Sequence, residues 1–325
     1  MPGIGAFISA GRSLDRTLER VRLADQLGLD SIYATQIAGR DALTLLAAYA
    51  NESERVRVGT GVVPIFSRTP ASMAQTAATI DELSGGRMVL GLGVSHRVTV
   101  ENWFDAEISK PVTQMREYAS IVRAILGSEP PPEGSFFKTK FQFMGYEPRG
   151  DLPIYIAALS PNMLRLAGEI GDGVMLWLCN PDYVRDVVIP AVAEGRERAG
   201  KTMEGFDVVA AVPVGLTDDP DAARARQRSD LVPYASLPFY RTMLERSGFG
   251  PEVAQFDEGV AAGDMDRAMS GLSNRLLEAL AGIGSADDVR AAVERYRAAG
   301  VVSPCIGAIG GTDFDAALDA VASLT

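Results

Sequence analysis

The chain has 325 residues, 47% of them hydrophobic and 22% charged, the balance of a globular protein with a large apolar core. Its net charge of −11, with no Lys- or Arg-rich run, offers no stripe for neutralising phosphates and excludes a nucleic-acid partner. Cys179 and Cys305 lie far apart and there is a single histidine, which excludes a disulfide scaffold and a Cys- or His-rich metal centre.

In chain order, short β-like runs alternate with helical patterns. Ile4–Ile8 precedes a helix over Leu14–Leu27 that stops at Gly28, a natural C′ residue. Ser31–Ala34 precedes a helix over Leu43–Ala50. Arg57–Thr60 and Met88–Leu92 flank the helix Ser72–Leu83, a parallel βαβ unit. A helix runs from Pro111 to about Leu126. Gly127–Leu152, with three consecutive prolines and four phenylalanines, reads as an excursion or small hairpin. Pro153–Ala157, the helix Pro161–Ile170, Gly173–Leu178 and the helix Tyr183–Arg198 resume the alternation. A seventh strand fits Val208–Gly215, and residues Asp218–Leu280 form a mostly helical insertion. Ser285 with Asp288 makes a capping box for the helix Ala286–Ala299. An eighth strand, Ser303–Ile309, leads to the helix Phe314–Leu324. The pattern predicts one α/β domain over 1–325, a (β/α)8 TIM barrel with excursions at about 127–152 and 218–280. The start, MPGIGAFISAGRSLD, lacks the basic and apolar regions of a secretion signal, and no run approaches the ~20 apolar residues that span a bilayer, so the expected place is the cytoplasm, with no membrane partner.

In such barrels chemistry sits at the C-terminal ends of the strands. There is no Gly-x-Ser-x-Gly elbow and no phosphate loop, and Gly91-Leu92-Gly93 is only a fragment of a dinucleotide fingerprint. Gly59-Thr60-Gly61-Val62-Val63-Pro64 reads either as a plain turn or as a bulge that glycine permits. Gly91-Leu92-Gly93-Val94-Ser95-His96 places small residues, then two hydrogen-bonding side chains, at the next strand end; His96 is the catalytic candidate. At Ala157-Ala158-Leu159-Ser160-Pro161, Ser160 is a good N-cap and Pro161 a good N1 residue, which either simply caps a helix or leaves N–H groups for an anion. Trp177 reads equally as pocket wall or core.

The segments TGVVPIFSRTPASMAQTAATIDELSGGRMVLGLGVSH and PIYIAALSPNMLRLAGEIGDGV resemble the luciferase-like monooxygenase superfamily, in its coenzyme F420 (deazaflavin)-dependent oxidoreductase branch. The resemblance covers nearly the whole chain. It implies a luciferase-like barrel that moves a hydride between F420 and a small organic substrate. FMN-dependent monooxygenases share the barrel, so FMN is the alternative cofactor, and an F420-binding protein without turnover is the other alternative. It further implies a non-proline cis peptide at Gly61–Val62 behind the cofactor ring. The matching cofactor contacts are Val94, Ser95, His96 and the backbone of Ala157, Ala158, Leu159 and Ser160. Many F420 enzymes end the second strand in Asp-His; here Thr35 and Gln36 stand there, Thr35 as a cofactor contact and Gln36 with Trp177 in the substrate pocket. Neither can exchange protons near neutrality, which leaves His96, the substrate or water. For the anionic phosphate and glutamate tail the candidate cations are Arg68, Arg97 and Lys110, and the substrate is expected beside Trp177 and the two excursions. Dimers are usual among relatives, so a homodimer is expected by analogy.

Overall fold

The barrel strands are short, mostly apolar runs buried on both faces, as parallel strands of a closed barrel are. The computed structural model describes residues 3–9 and 11–324. Its strands are β1 (Gly5–Phe7), β2 (Ser31–Ala34), β3 (Arg57–Thr60), β4 (Val63–Pro64), β5 (Met88–Gly93), β6 (Ile154–Ala157), β7 (Gly173–Leu176), β8 (Asp207–Leu216), β9 (Gly282–Gly284) and β10 (Ser303–Ala308). They pair in parallel in the order β10-β1-β2-β3-β5-β6-β7-β8, and β10 also pairs with β8, which closes the ring. Two short strands were not anticipated. β4 resumes pairing with β5 after a break at residues 61–62, and β9 extends the pairing of β8 at Val214–Leu216.

Alternation along the strands divides the apolar residues between two cores. Ile32 and Ala34 of β2 point outward into the large shell under the helices. Tyr33 points inward, with Val89, Tyr155, Met175, Val209 and Cys305, and Phe7 and Val62 pack against this inner cluster. At the N-terminal ends of the strands the inner wall turns polar. Arg57 pairs with Asp30 and lies 3.7 Å from Asp207. Tyr155 Oη donates to Asp207 at 2.9 Å and accepts from Arg57 at 3.2 Å.

Local signals set the helix starts. Thr69 Oγ1 accepts from Ser72 N–H and Pro70 takes the first turn, so that helix begins at Pro70 rather than Ser72. Ser285 and Asp288 form the expected capping box. A further helix, Arg97–Trp103, starts directly after His96.

The two excursions sit at different places on the barrel. Residues 127–152 contain no helix or strand. They follow a helix, so they leave from the foot of the barrel and lie along the outer helices. Ser135, Phe136 and Phe137 donate backbone N–H groups to Glu117, Tyr146 Oη donates to the Ala78 carbonyl, and Arg149 pairs with Asp81. Phe137 also reaches Phe66, just past β4, at 6.4 Å, so the contacts of this stretch are with the outer helices and that loop and not, as expected, with Trp177. Residues 218–280 follow a strand, emerge at the C-terminal edge and form the helices Pro220–Ala235, Pro238–Leu244, Gly250–Ala261, Met265–Gly271 and Asn274–Leu280.

Candidate functional site

At the end of β3 the side chain of Thr60 takes over from the backbone ladder. Its hydroxyl donates to the Gly91 carbonyl at 2.7 Å and accepts from the Gly91 N–H at 2.8 Å. The chain then turns inward through a cis Gly61–Val62 peptide. Close packing requires glycine on both sides of this bulge. A Cβ on Gly61 would lie 2.4 Å from the Phe7 ring, and one on Gly93 would lie 2.7 Å from Val62. The end of β2 braces the bulge: Thr35 Oγ1 donates to the Gly61 carbonyl at 2.9 Å, and Gln36 N–H to the Val62 carbonyl at 3.3 Å. The Gln36 side-chain oxygen accepts from Ala42 N–H, at the start of the helix Ala42–Asn51. Thr35 is thus engaged with the bulge, and both Gln36 groups hold neighbouring backbone.

The end of β5 carries Val94, Ser95 and His96, all partly accessible. Ser95 adopts φ 59°, a left-handed conformation uncommon for a non-glycine residue. The His96 ring lies 5.9 Å from Tyr240. Burial lowers the imidazole pKa below its ordinary 6.5, so the ring is neutral at pH 7. As pH falls through about 6.5 the unfolded chain takes up the proton first, so His96 is expected to erode stability on the acid side. Replacing His96 by Asn should flatten the decline in the urea midpoint between about pH 7.5 and 5.5.

At the end of β6 the backbone is partly committed. Ala158 is buried and its N–H bonds to the Met175 carbonyl at 3.3 Å, so it cannot serve an anion as expected. Ser160 caps the helix Pro161–Ile170 by accepting from Met163 N–H. The N–H groups of Leu159 and Ser160 have no acceptor among the described residues. The Leu159 carbonyl accepts from Tyr183 Oη at 2.8 Å, which ties this turn to the short helix Pro181–Tyr183 that follows β7. Gly93 and Ala157 are adjacent across the β5–β6 pair, since a Cβ on Gly93 would sit 3.5 Å from that of Ala157. The bulge and the turn therefore share one mouth.

Trp177 stands just past β7, between Phe7 (6.4 Å) and Tyr234 of the insertion (6.0 Å). Its indole stays partly exposed between them. Of the expected cations, Arg68 is held by Asp41 and Arg97 is paired with Glu101 on an exposed helix face. Lys110 is exposed at the start of the helix Pro111–Leu126. Sequence reasoning missed Thr60, Tyr183, Tyr234 and Tyr240. Thr60 carried a signal, a β-branched hydroxyl between two glycines; the tyrosines of a long insertion carry none.

Residues 1–303 match the family model described as luciferase-like monooxygenase. The chain is 31% identical over 305 residues to a Mycobacterium tuberculosis protein provisionally named a coenzyme F420-dependent oxidoreductase, covering 87% of this chain and 88% of that one. It is also 31% identical to a methylenetetrahydromethanopterin reductase of Archaeoglobus fulgidus, covering 90% and 89%. Among solved structures, the coenzyme F420-dependent tetrahydromethanopterin reductase of Methanopyrus kandleri superposes with a TM-score of 0.84 at 25% identity, covering 98% of this chain and 97% of that one. With the closed parallel barrel and the match along most of its length, the chain belongs to the luciferase-like monooxygenase family.

Proposed function

We propose that this protein binds coenzyme F420 across the strand ends and transfers a hydride between the deazaflavin ring and a small organic substrate. The observation that carries this reading is the inward bulge at residues 61–62, braced by Thr35 and Gln36 and nested on Gly91 and Gly93, in a chain whose relatives include F420-dependent enzymes. The residues present fit such a group. Val62 and Gly61 offer an accessible apolar back wall. Val94, Ser95 and His96 border it on one side. The unpartnered N–H groups of Leu159 and Ser160, near a helix N-terminus, suit the phosphate. When bound, the deazaflavin supplies the hydride chemistry.

The protein's own part is placement, water exclusion and proton handling. Val62 supports one ring face and the insertion helices cover the mouth. With Thr35 and Gln36 engaged by backbone, His96 is the side chain at this mouth that could exchange a proton, its neutral ring accepting one. Its catalytic role is part of the proposal. Arg68, Arg97 and Lys110 stand as rim cations for the anionic tail, the first two sharing their charge with carboxylates. The same reading places the protein in the cytoplasm as a homodimer, which light scattering of the purified chain would check.

A spectroscopic titration tests the cofactor. F420 is expected to bind at micromolar or tighter affinity with FMN much weaker; the reverse order would move the chain to the flavin-dependent branch. Thr35→Val, which keeps shape but removes the donor to Gly61, is expected to weaken F420 about fivefold, the worth of one hydrogen bond of ~1 kcal/mol. An unchanged affinity would show that Thr35 does not position the bulge.

A further inference from the structure

A line of aromatic rings crosses the mouth from the barrel interior to the end of β5. Tyr33 lies 5.5 Å from Phe7, Phe7 6.4 Å from Trp177, Trp177 6.0 Å from Tyr234, Tyr234 5.0 Å from Tyr240, and Tyr240 5.9 Å from His96. These residues come from β2, β1, the loop after β7, two insertion helices and the loop after β5, so only the folded barrel assembles them. Although flanked by Phe7 and Tyr234, Trp177 remains 37% exposed, and Ile37 beyond the end of β2 is 63% exposed. An indole left partly open within a cluster of rings at a strand-end mouth is a surface on which a ligand can stack.

The line is also uncharged. Burial keeps the phenols of Tyr33, Tyr234 and Tyr240 protonated. Burial alone shifts His96, with no charged side chain contributing, and leaves it neutral. Among the charged groups around the mouth, Arg68 pairs with Asp41, Arg97 with Glu101 and Asp230 with Arg226, while Arg246 of the insertion lies against the Tyr183 hydroxyl, on the side of the Leu159 turn. A charged substrate laid against the faces of Trp177, Tyr234 and Tyr240 would lose hydration to three rings that carry no charge. A flat, neutral molecule would keep stacking and edge contacts with indole and phenol rings.

Building on the proposed F420 reading, we propose that the substrate is a flat, uncharged, conjugated compound held against Trp177, with Tyr234 of the insertion completing the slot. Selection at this wall is by aromatic contact and by rejection of charge. Trp177 is the main contact, and Tyr234 sets how closely the slot closes over it.

The test uses the full chain loaded with F420 and isothermal titration calorimetry with two probes, benzylideneacetone and its para-carboxylate analogue. The neutral probe is expected to bind at least about tenfold more tightly than the carboxylate. Trp177→Ala should weaken the neutral probe about tenfold, while Trp177→Phe, which keeps an aromatic face, should retain most of the affinity. In both variants F420 affinity measured beforehand should stay within about twofold of the parent. Equal or tighter binding of the carboxylate, or no effect of Trp177→Ala in a protein that still binds F420, would overturn this inference alone. Failure of the parent protein to bind F420 would overturn the cofactor reading and the inference with it.

Discussion

Gly91→Ala is expected to destabilise the protein by about 3 kcal/mol and to abolish cofactor binding. An added Cβ would lie 2.1 Å from the Thr60 carbonyl oxygen and 2.6 Å from Met175 Sδ. The first neighbour is backbone and cannot rotate away, so β3 and β5 must part where the Thr60 hydroxyl bridges them. Parting them withdraws the support under Val62, whose side chain the same Cβ would approach to 3.1 Å. Gly307→Ala is the control, because its Cβ would meet nothing closer than 3.9 Å. Urea unfolding of both variants should separate them. Equal midpoints would mean that β5 tolerates bulk and that the glycines do not shape the bulge.

The second large effect lies at the foot of the barrel. Arg57→Met removes the cation shared by Asp30 and Asp207 and the donor to Tyr155. Breaking one side of a buried pair costs about 3–5 kcal/mol; with the Arg57 side chain 30% exposed, about 2–3 kcal/mol is expected here. Burial already raises the Asp207 pKa above its ordinary 3.8, opposed by hydrogen bonds and by the nearby Arg57 charge. Without Arg57 the raised value rises further. A carboxyl with a raised folded pKa costs stability when ionised; that cost shrinks as pH falls through the folded pKa and is gone below the unfolded one, where both states are protonated. The urea-midpoint gap between variant and parent should therefore be widest near neutrality and narrow towards about pH 4. A gap independent of pH would assign the loss to packing instead of charge.

What could be read in the sequence is what period and backbone chemistry determine. All eight barrel strands are visible because apolar runs end in small or polar residues at regular spacing, and two of the helix caps, Ser160 and Ser285, are local. The bulge is legible as Gly-Thr-Gly-Val-Val-Pro, since glycine at consecutive inward positions of a strand leaves room for something else. The break itself needed the resemblance to place the cis peptide. The excursion at 127–152 misleads because phenylalanines suggest a pocket wherever they fall. Its position after a helix sends it along the outer layer, where Phe137 meets Tyr118 at 5.1 Å and Phe66, just past β4, at 6.4 Å. Tyr234 and Tyr240 lie in helices whose own apolar pattern is weak, and their meeting with Trp177 and His96 is a product of tertiary closure that no window of sequence contains. The two roles of Thr35 and Gln36 also depend on the fold. As an acid–base pair they are inert, but at the end of β2 they hold the two carbonyls of the bulge.

The proposed activity predicts oxygen-independent turnover, because His96, Thr35 and the bulge serve placement and proton handling around a hydride donor or acceptor. The most direct measurement is anaerobic turnover of reduced F420 with a neutral conjugated carbonyl, following deazaflavin absorbance and product together. Equal amounts of cofactor oxidised and substrate reduced, unchanged on admitting oxygen, is the predicted result. Turnover that requires oxygen and reduced FMN, with none from reduced F420, would contradict it.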